Sequence, residues 1–377
     1  MNYTNTYLTS FGIHIQSASF SLAEGTEEWH LMLHAESRGQ HFDEQYERLT
    51  QALDQYRQQH LPGAALILRR FFLSDSANQR PTVGMGAASL IQQPPLDGSK
   101  VALWAYLQRS DEQQITRQEG LTRIQRGDYT HLWHTGFFSS VGNSEQQTHE
   151  ILTQYIRALH EAQCTMEANC VRTWFFCRDV DTQYAGLVKG RREFFAQEGM
   201  TSDTHYISST GIGGIPTDPR AIVQMDAYAM HGLQPQQQQY LCAPTHLNRT
   251  IDYGVTFERG TLVRYGDRNQ LYISGTASID AQGNVLHVGQ IQQQTQRMWE
   301  NVEALLREGG SAFDDVMMMI VYLRDTADYQ TVCRMFQERF PQVPHIITLA
   351  PVCRPTWLIE MECIAVQKAE NPQYGRF

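Results

Sequence analysis

Val321-Tyr322-Leu323-Arg324-Asp325 ends an apolar run in a short polar stop, and the same arrangement stands at Phe71-Phe72-Leu73-Ser74-Asp75 and Phe175-Phe176-Cys177-Arg178-Asp179. A short apolar run bounded by a turn signal reads as a buried strand. Three occurrences in one chain read as a repeat, and a repeat fixes the fold class before any local detail. Working outward, an amphipathic helix precedes each strand. Met298, Val302, Leu305 and Leu306 lie on one stripe of a 3.6-residue period, as do Ile151, Leu152, Tyr155, Ile156 and Leu159. The weaker stripe Tyr46, Leu49, Leu53 and Tyr56 predicts a helix over residues 42–60. Gly309-Gly310 and Pro62-Gly63 supply stop signals for the third and first helices.

Before the helix come two strand-like runs, residues 254–265 and 270–280 in the third copy and 11–20 and 29–35 in the first. After the polar stop a second helix is expected over 184–198 and 329–340. The first copy has only residues 76–80 there, so its second helix is expected to be lost. Closing strands are expected at 101–107, 221–228 and 358–366. The charged, Gln-rich stretch 109–118 and Gln234-Pro235-Gln236-Gln237-Gln238-Gln239 read as linkers without core-forming residues. The expectation is an α/β fold of three tandem ββαβαβ units, at 1–115, 120–233 and 240–377, the first degenerate.

Bulk properties exclude several function classes. A net charge of −10 over 377 residues, with no dense Lys/Arg run, argues against nucleic acid as partner. No stretch approaches the roughly 18 apolar residues that span a bilayer, and the first eleven residues lack a signal-peptide pattern. Seven cysteines in no C-x-x-C spacing read as reduced thiols, without zinc or disulfides, and point to a cytoplasmic protein without a metal or other cofactor. His131 and His134 fall on opposite faces of one strand and do not share a metal. Met317-Met318-Met319 reads as core.

The third copy carries a family resemblance. Tyr272-Ile273-Ser274-Gly275-Thr276-Ala277-Ser278-Ile279, Gly289-Gln290, Gln294-Thr295, the strand ending at Asp325, and Ile359-Glu360-Met361-Glu362 resemble the Rid (YjgF, endoribonuclease L-PSP-like) superfamily over residues 253–368. Rid proteins are homotrimers with sites in the clefts between subunits. The resemblance therefore implies a monomeric pseudo-trimer with clefts that need not be equivalent. Deaminating members use an arginine facing a closing-strand carboxylate. Glu360 matches the carboxylate, but the arginine position falls at Ile346. In the second copy Ser209 and Gln224 stand at the corresponding places.

A narrower resemblance is to the chorismatases, longer relatives that remove pyruvate from chorismate. It rests on residues 274–278 taken with Cys353-Arg354-Pro355, Glu360, the upstream Ser209-Thr210-Gly211-Ile212-Gly213 and, less diagnostically, Arg191-Arg192-Glu193-Phe194-Phe195. Cys353 precedes Glu360 by seven positions, as in the subgroup that gives 3-hydroxybenzoate. This implies a hydrolase or lyase acting on a small carboxylate, with Glu360 as general acid. Cys353 is then a nucleophile or a shape-setting group. Arg354 clamps a substrate carboxylate, Gly275 and Thr276 offer backbone N–H groups, and Thr210 and Gly211 line the facing wall. Glu360 alternates with Ile359 and Met361 and so leaves the sheet on the face opposite to them. Glu362 shares that face and reads as a solvated glutamate. A Rid-type enamine or imine deaminase and a non-catalytic small-carboxylate binder are the alternative readings.

Overall fold

The computed structural model describes the whole chain except Arg38, with Tyr253 described in its backbone only. The first unit runs β1 (Asn2–Leu8), β2 (Ile13–Phe20), β3 (Glu27–Ala35), α1 (Phe42–His60), β4 (Ala65–Leu73), β5 (Ala87–Gln92) and β6 (Val101–Arg109). The second comprises β7 (Gln114–Gln118), β8 (Leu121–Arg126), β9 (Tyr129–Phe138), α2 (Ser144–Glu161), the short α3 (Met166–Asn169), β10 (Cys170–Cys177), α4 (Val180–Gln197), β11 (Ser208–Gly213), β12 (Ile215–Pro216) and β13 (Val223–His231). The third comprises β14 (Gln238–Leu241), β15 (Gly260–Arg264), β16 (Arg268–Ala277), α5 (Ile291–Glu308), β17 (Val316–Leu323), α6 (Tyr329–Arg339), β18 (His345–Leu349) and β19 (Ile359–Lys368).

Among the described residues these strands form three sheets of one topology. Their orders are β1-β2-β3-β6-β4-β5, β7-β8-β9-β13-β10-β11 and β14-β15-β16-β19-β17-β18, with β12 added to the outer edge of the first beside β5. Within each unit only the pair outside the closing strand is parallel: β4 with β5, β10 with β11, and β17 with β18. The repeat expected from the polar-stop motif is thus a repeat of topology. Two details differ. Each unit opens with a strand that hydrophobic patterning does not show, and a further strand precedes the closing one. Each unit is therefore βββαβ(α)ββ, and the first lacks the second helix.

The two stretches read as linkers are largely structural. Residues 114–118 form β7 and 238–241 form β14. Gln237 is fully buried, its Nε2 donating to the Tyr129 hydroxyl at 2.8 Å and the Arg264 carbonyl at 2.9 Å. An amide that satisfies two buried acceptors is a pin between units, not a spacer.

The amphipathic stripes seat α1, α2 and α5 on the outer faces of their sheets. The inner faces turn toward one another and share a core in which Trp104 and Tyr106, Trp133, Trp174 and Tyr228, and Tyr272 meet. Trp104 and Trp174 pack edge-on with centroids 6.2 Å apart, and Trp133 and Tyr228 stack at 4.4 Å. The three units form a pseudo-trimer within one chain. His131 lies inside, its Nδ1 2.8 Å from the Tyr228 hydroxyl, while His134 packs outward on Phe137 and Tyr155, so the two do not converge. Met317, Met318 and Met319 are buried.

Candidate active site

Where α4 and β11 of the second unit face β16 and β19 of the third, a cavity of 340 Å³ opens. Val180, Ala185, Val188, Val255 and Ile279 make its apolar wall. Its polar groups are Glu360, Cys353, Arg354, Arg259, Tyr184, Ser209 and, paired with Arg324, Asp181. Most of the residues singled out in the sequence therefore meet in one place, although they come from two units.

Glu360 points inward from β19 and is 5% exposed. Burial, and then the charge of Glu362, push its carboxyl up to about 8, while Arg259 and Arg172 pull the other way. A buried acid of this kind keeps its proton at neutral pH and can donate it. Its place depends on Gly275, which sits in a register shift of β16 between Ile273 and Thr276. A Cβ on Gly275 would lie 2.0 Å from Glu360 Oε1. The glycine thus lets the carboxyl lie directly over the backbone.

That arrangement corrects one expectation. The Gly275 N–H is not offered to the cavity: it donates to Thr210 Oγ1 at 2.9 Å. Thr276 is fully buried, its hydroxyl bonded to the Ser274 carbonyl at 2.9 Å. Neither Thr276 nor Thr210 lines the cavity, whereas Gly275 and Gly211 do. Thr210 faces inward, accepting from Arg172 at 2.5 Å and donating to Glu362. Glu362 is likewise not solvated. It is 3% exposed and accepts from Arg172 at 2.7 Å and from Trp174 Nε1 at 2.8 Å. Two glutamates on one face of β19 thus have opposite environments: Glu362 is paired as an anion, and Glu360 is left acidic beside it.

Cys353 hydrogen-bonds with the Tyr184 hydroxyl. Burial, and then the adjacent Glu360, raise its thiol to about 12, with Arg354 a smaller opposing influence. A thiol so raised stays protonated, which disfavours the nucleophile role. Arg354 lies over the Trp357 ring at 4.7 Å. Arg259, which the sequence reading passed over, is 4% exposed and holds the Asn248 carbonyl at 3.1 Å with its guanidinium at the cavity wall. Its signal was the adjacent charge pair in Phe257-Glu258-Arg259-Gly260, within a run otherwise read as strand. Tyr184, the other residue missed, lies on the cavity face of α4.

Strand register locates the corresponding positions elsewhere. Glu360 pairs with Tyr322, Gln224 with Phe176 and Ala102 with Phe72. The acid position of the other two units therefore holds Gln224 and Ala102. Ile346 pairs with Ile320, and Thr210 with Trp174, so the second-unit counterpart of Ile346 is Thr210 and not Ser209. Ile346 is 1% exposed. Among the described residues no cluster of His, Cys, Asp and Glu could hold a metal ion, and no helix is long and apolar enough to cross a membrane.

Comparison with known proteins bears on the family and the fold. The family model described as Endoribonuclease L-PSP matches residues 261–367. A RutC family protein of Pyrococcus abyssi is 32% identical over 102 residues, covering 26% of this chain and 80% of that protein. The 3-aminoacrylate deaminase RutC of Acinetobacter baylyi is 30% identical over 99 residues, 26% of this chain and 79% of that protein. Among solved structures, a chorismatase superposes with a TM-score of 0.63 over 80% of this chain and 92% of its own, at 18% identity, a likeness of fold. With a third unit that matches in sequence and three sheets of one topology, the chain belongs to the Rid superfamily and is close to chorismatase in fold.

Proposed function

We propose that the chain is a chorismatase-like enzyme in which Glu360 protonates the enol ether of chorismate and pyruvate is released. The observation that carries this reading is a buried carboxylic acid that keeps its proton, in a cavity lined by the guanidinium groups of Arg259 and Arg354, where the other carboxylate, Asp181, is paired with Arg324. With Glu360 neutral, the wall is net positive and suits a small molecule bearing two carboxylates. Proton transfer to the methylene carbon gives an oxocarbenium-like centre beside oxygen. Scission of the ring C–O bond then releases pyruvate. The neighbouring ring hydroxyl bonds to the vacated carbon and lets go of its own. Loss of a ring proton, which restores the acid, gives 3-hydroxybenzoate with no net water, whereas the hydrolytic route takes up one. The protonated Cys353 thiol, held by Tyr184, shapes the wall against which the ring lies. Three units in one chain supply their own interfaces, so the protein works as a monomer.

The RutC relatives suggest a deaminase instead, but the position that carries the arginine in that chemistry is the buried Ile346. The test is to mix the full-length protein with chorismate, measure pyruvate and separate the ring product by chromatography. Glu360→Gln should lower pyruvate release by about 10²–10⁴-fold while keeping the fold. Release at the wild-type rate from that variant would remove Glu360 from the mechanism. Saturable binding of chorismate without turnover would favour the carboxylate-binding alternative.

A further inference from the structure

Several fully buried polar atoms make no hydrogen bond among the described residues: the Tyr322 hydroxyl, Thr348 Oγ1, and Nε and Nη1 of Arg70. They are neighbours. Tyr322 lies beside Glu360 across β17 and β19, and beside Thr348 across β17 and β18, so all three side chains leave the sheet on one face. The charges that act on the Tyr322 hydroxyl are those of Glu362, Arg70, Arg172 and Glu360. Arg70 donates through Nη2 to Asp226 at 3.0 Å, while its Nη1 stands 3.9 Å from Glu362 Oε1, too far for a direct bond.

We propose that these groups bound an internal water site, and that water held there between Tyr322 and Glu360 steadies the carboxylate that Glu360 becomes on giving up its proton. Buried polar groups are almost always paired, and a site with two to four polar partners is where water is retained. The 3.9 Å gap between the Arg70 guanidinium and Glu362 is too long for a direct hydrogen bond, the circumstance in which a bridging water is considered. The hydroxyl is not a packing requirement, because the corresponding positions of the other units hold Phe72 and Phe176. Only the unit that carries the acid has it. In so dry a place the anion formed at Glu360 lies beside the Glu362 charge; Arg259 and Arg172 offset part of that repulsion, and a donor reached through water adds to their relief.

The role beside Glu360 rests on the acid assigned above, whereas the water site itself does not. Both are tested with Tyr322→Phe in the full chain. A hydroxyl bonded to water contributes to stability, so its loss should lower Tm by about 1–3 °C. A rise in Tm would mean that the hydroxyl was unsatisfied and would overturn the site. Difference infrared spectroscopy, with Glu360→Gln identifying the carboxyl band, should show the Glu360 titration midpoint moving to higher pH in Tyr322→Phe. An unmoved midpoint would overturn the coupling. No substrate enters this titration, so it tests the coupling even if chorismate is never turned over. Where turnover is seen, kcat should fall with KM unchanged and the alkaline limb of the pH profile should shift upward. A loss of rate without that shift would assign Tyr322 a structural role only.

Discussion

Gly275 and Glu360 are coupled so tightly that one cannot be altered without the other. A methyl group on Gly275 would meet Glu360 Oε1 at 2.0 Å and Thr210 Cγ2 at 3.1 Å. Gly275→Ala should therefore drive the carboxyl from its seat, lowering pyruvate release by at least tenfold at a stability cost of about 1–3 kcal/mol. Parallel rate and thermal-unfolding measurements would separate the two effects. The raised carboxyl also makes a pH prediction. Glu360 keeps its proton in the folded chain up to about pH 8, against an ordinary value of 4.5. Between those values the folded state binds the extra proton, so stability falls as pH rises through this window. Glu360→Gln removes that dependence, and its Tm relative to wild type should climb from pH 5 to pH 8. A constant difference would mean that the acid titrates normally. The exposure of this residue to its cavity was legible from alternation along the strand and from the Cys353 spacing. The environment of Glu362 was not, because the groups that bury it, Arg172, Trp174 and Thr210, lie some 150 to 190 residues away in sequence.

At the scale of elements, α4 owes its position to two glycines. A Cβ on Gly186 would lie 2.2 Å from Ser144 Oγ, and one on Gly190 would lie 2.8 Å from the Glu145 carbonyl, so α2 and α4 touch almost backbone to backbone. Gly190→Val should push α4 off α2, costing about 1–3 kcal/mol in urea unfolding and loosening the Tyr184–Cys353 contact at the cavity. The helices were legible because burial on one side imposes a 3.6-residue stripe, and α1 lies where its stripe predicts. The opening strands were not. β1 and β7 are edge strands, partly or fully exposed along their length, held by backbone pairing to β2 and β8 with few buried side chains to betray them. The Gln-rich stretch misled for a related reason. Glutamine is usually solvated, but an amide can equally close a buried polar seam, as Gln237 does.

Across the whole molecule each junction between units holds a close buried ion pair, and Arg70 also lies 3.9 Å from Glu362 between the first and third. Arg70 meets Asp226 at 3.0 Å between the first and second units, and Arg172 meets Glu362 at 2.7 Å between the second and third. Arg268 meets Glu28 at 2.6 Å between the third and first. The two closing-strand carboxylates, Asp226 and Glu362, hold the same position of the repeat, but their arginine partners do not, and Glu28 lies on another strand, so each junction has its own solution. The clefts differ accordingly. That between the third and first units is a 580 Å³ cavity lined by His34, Asp97, Tyr329 and His345, and between the first and second Gln224 bonds to Ser89 and Leu90. Removing one member of a buried pair leaves an uncompensated charge, which costs more than the pair contributes. Arg172→Met should therefore destabilise the chain by roughly 3 kcal/mol, since Glu362 would keep the Trp174 and Thr210 donors and, as its remaining cation, Arg70 at 3.9 Å. Adding Glu362→Gln removes the stranded charge while keeping an acceptor for Trp174, and should recover at least half of the loss. Urea unfolding of the two variants decides the point. If the double variant is as unstable as the single one, then packing of the arginine on Trp174, over which its guanidinium lies at 4.8 Å, holds the second and third units together rather than charge.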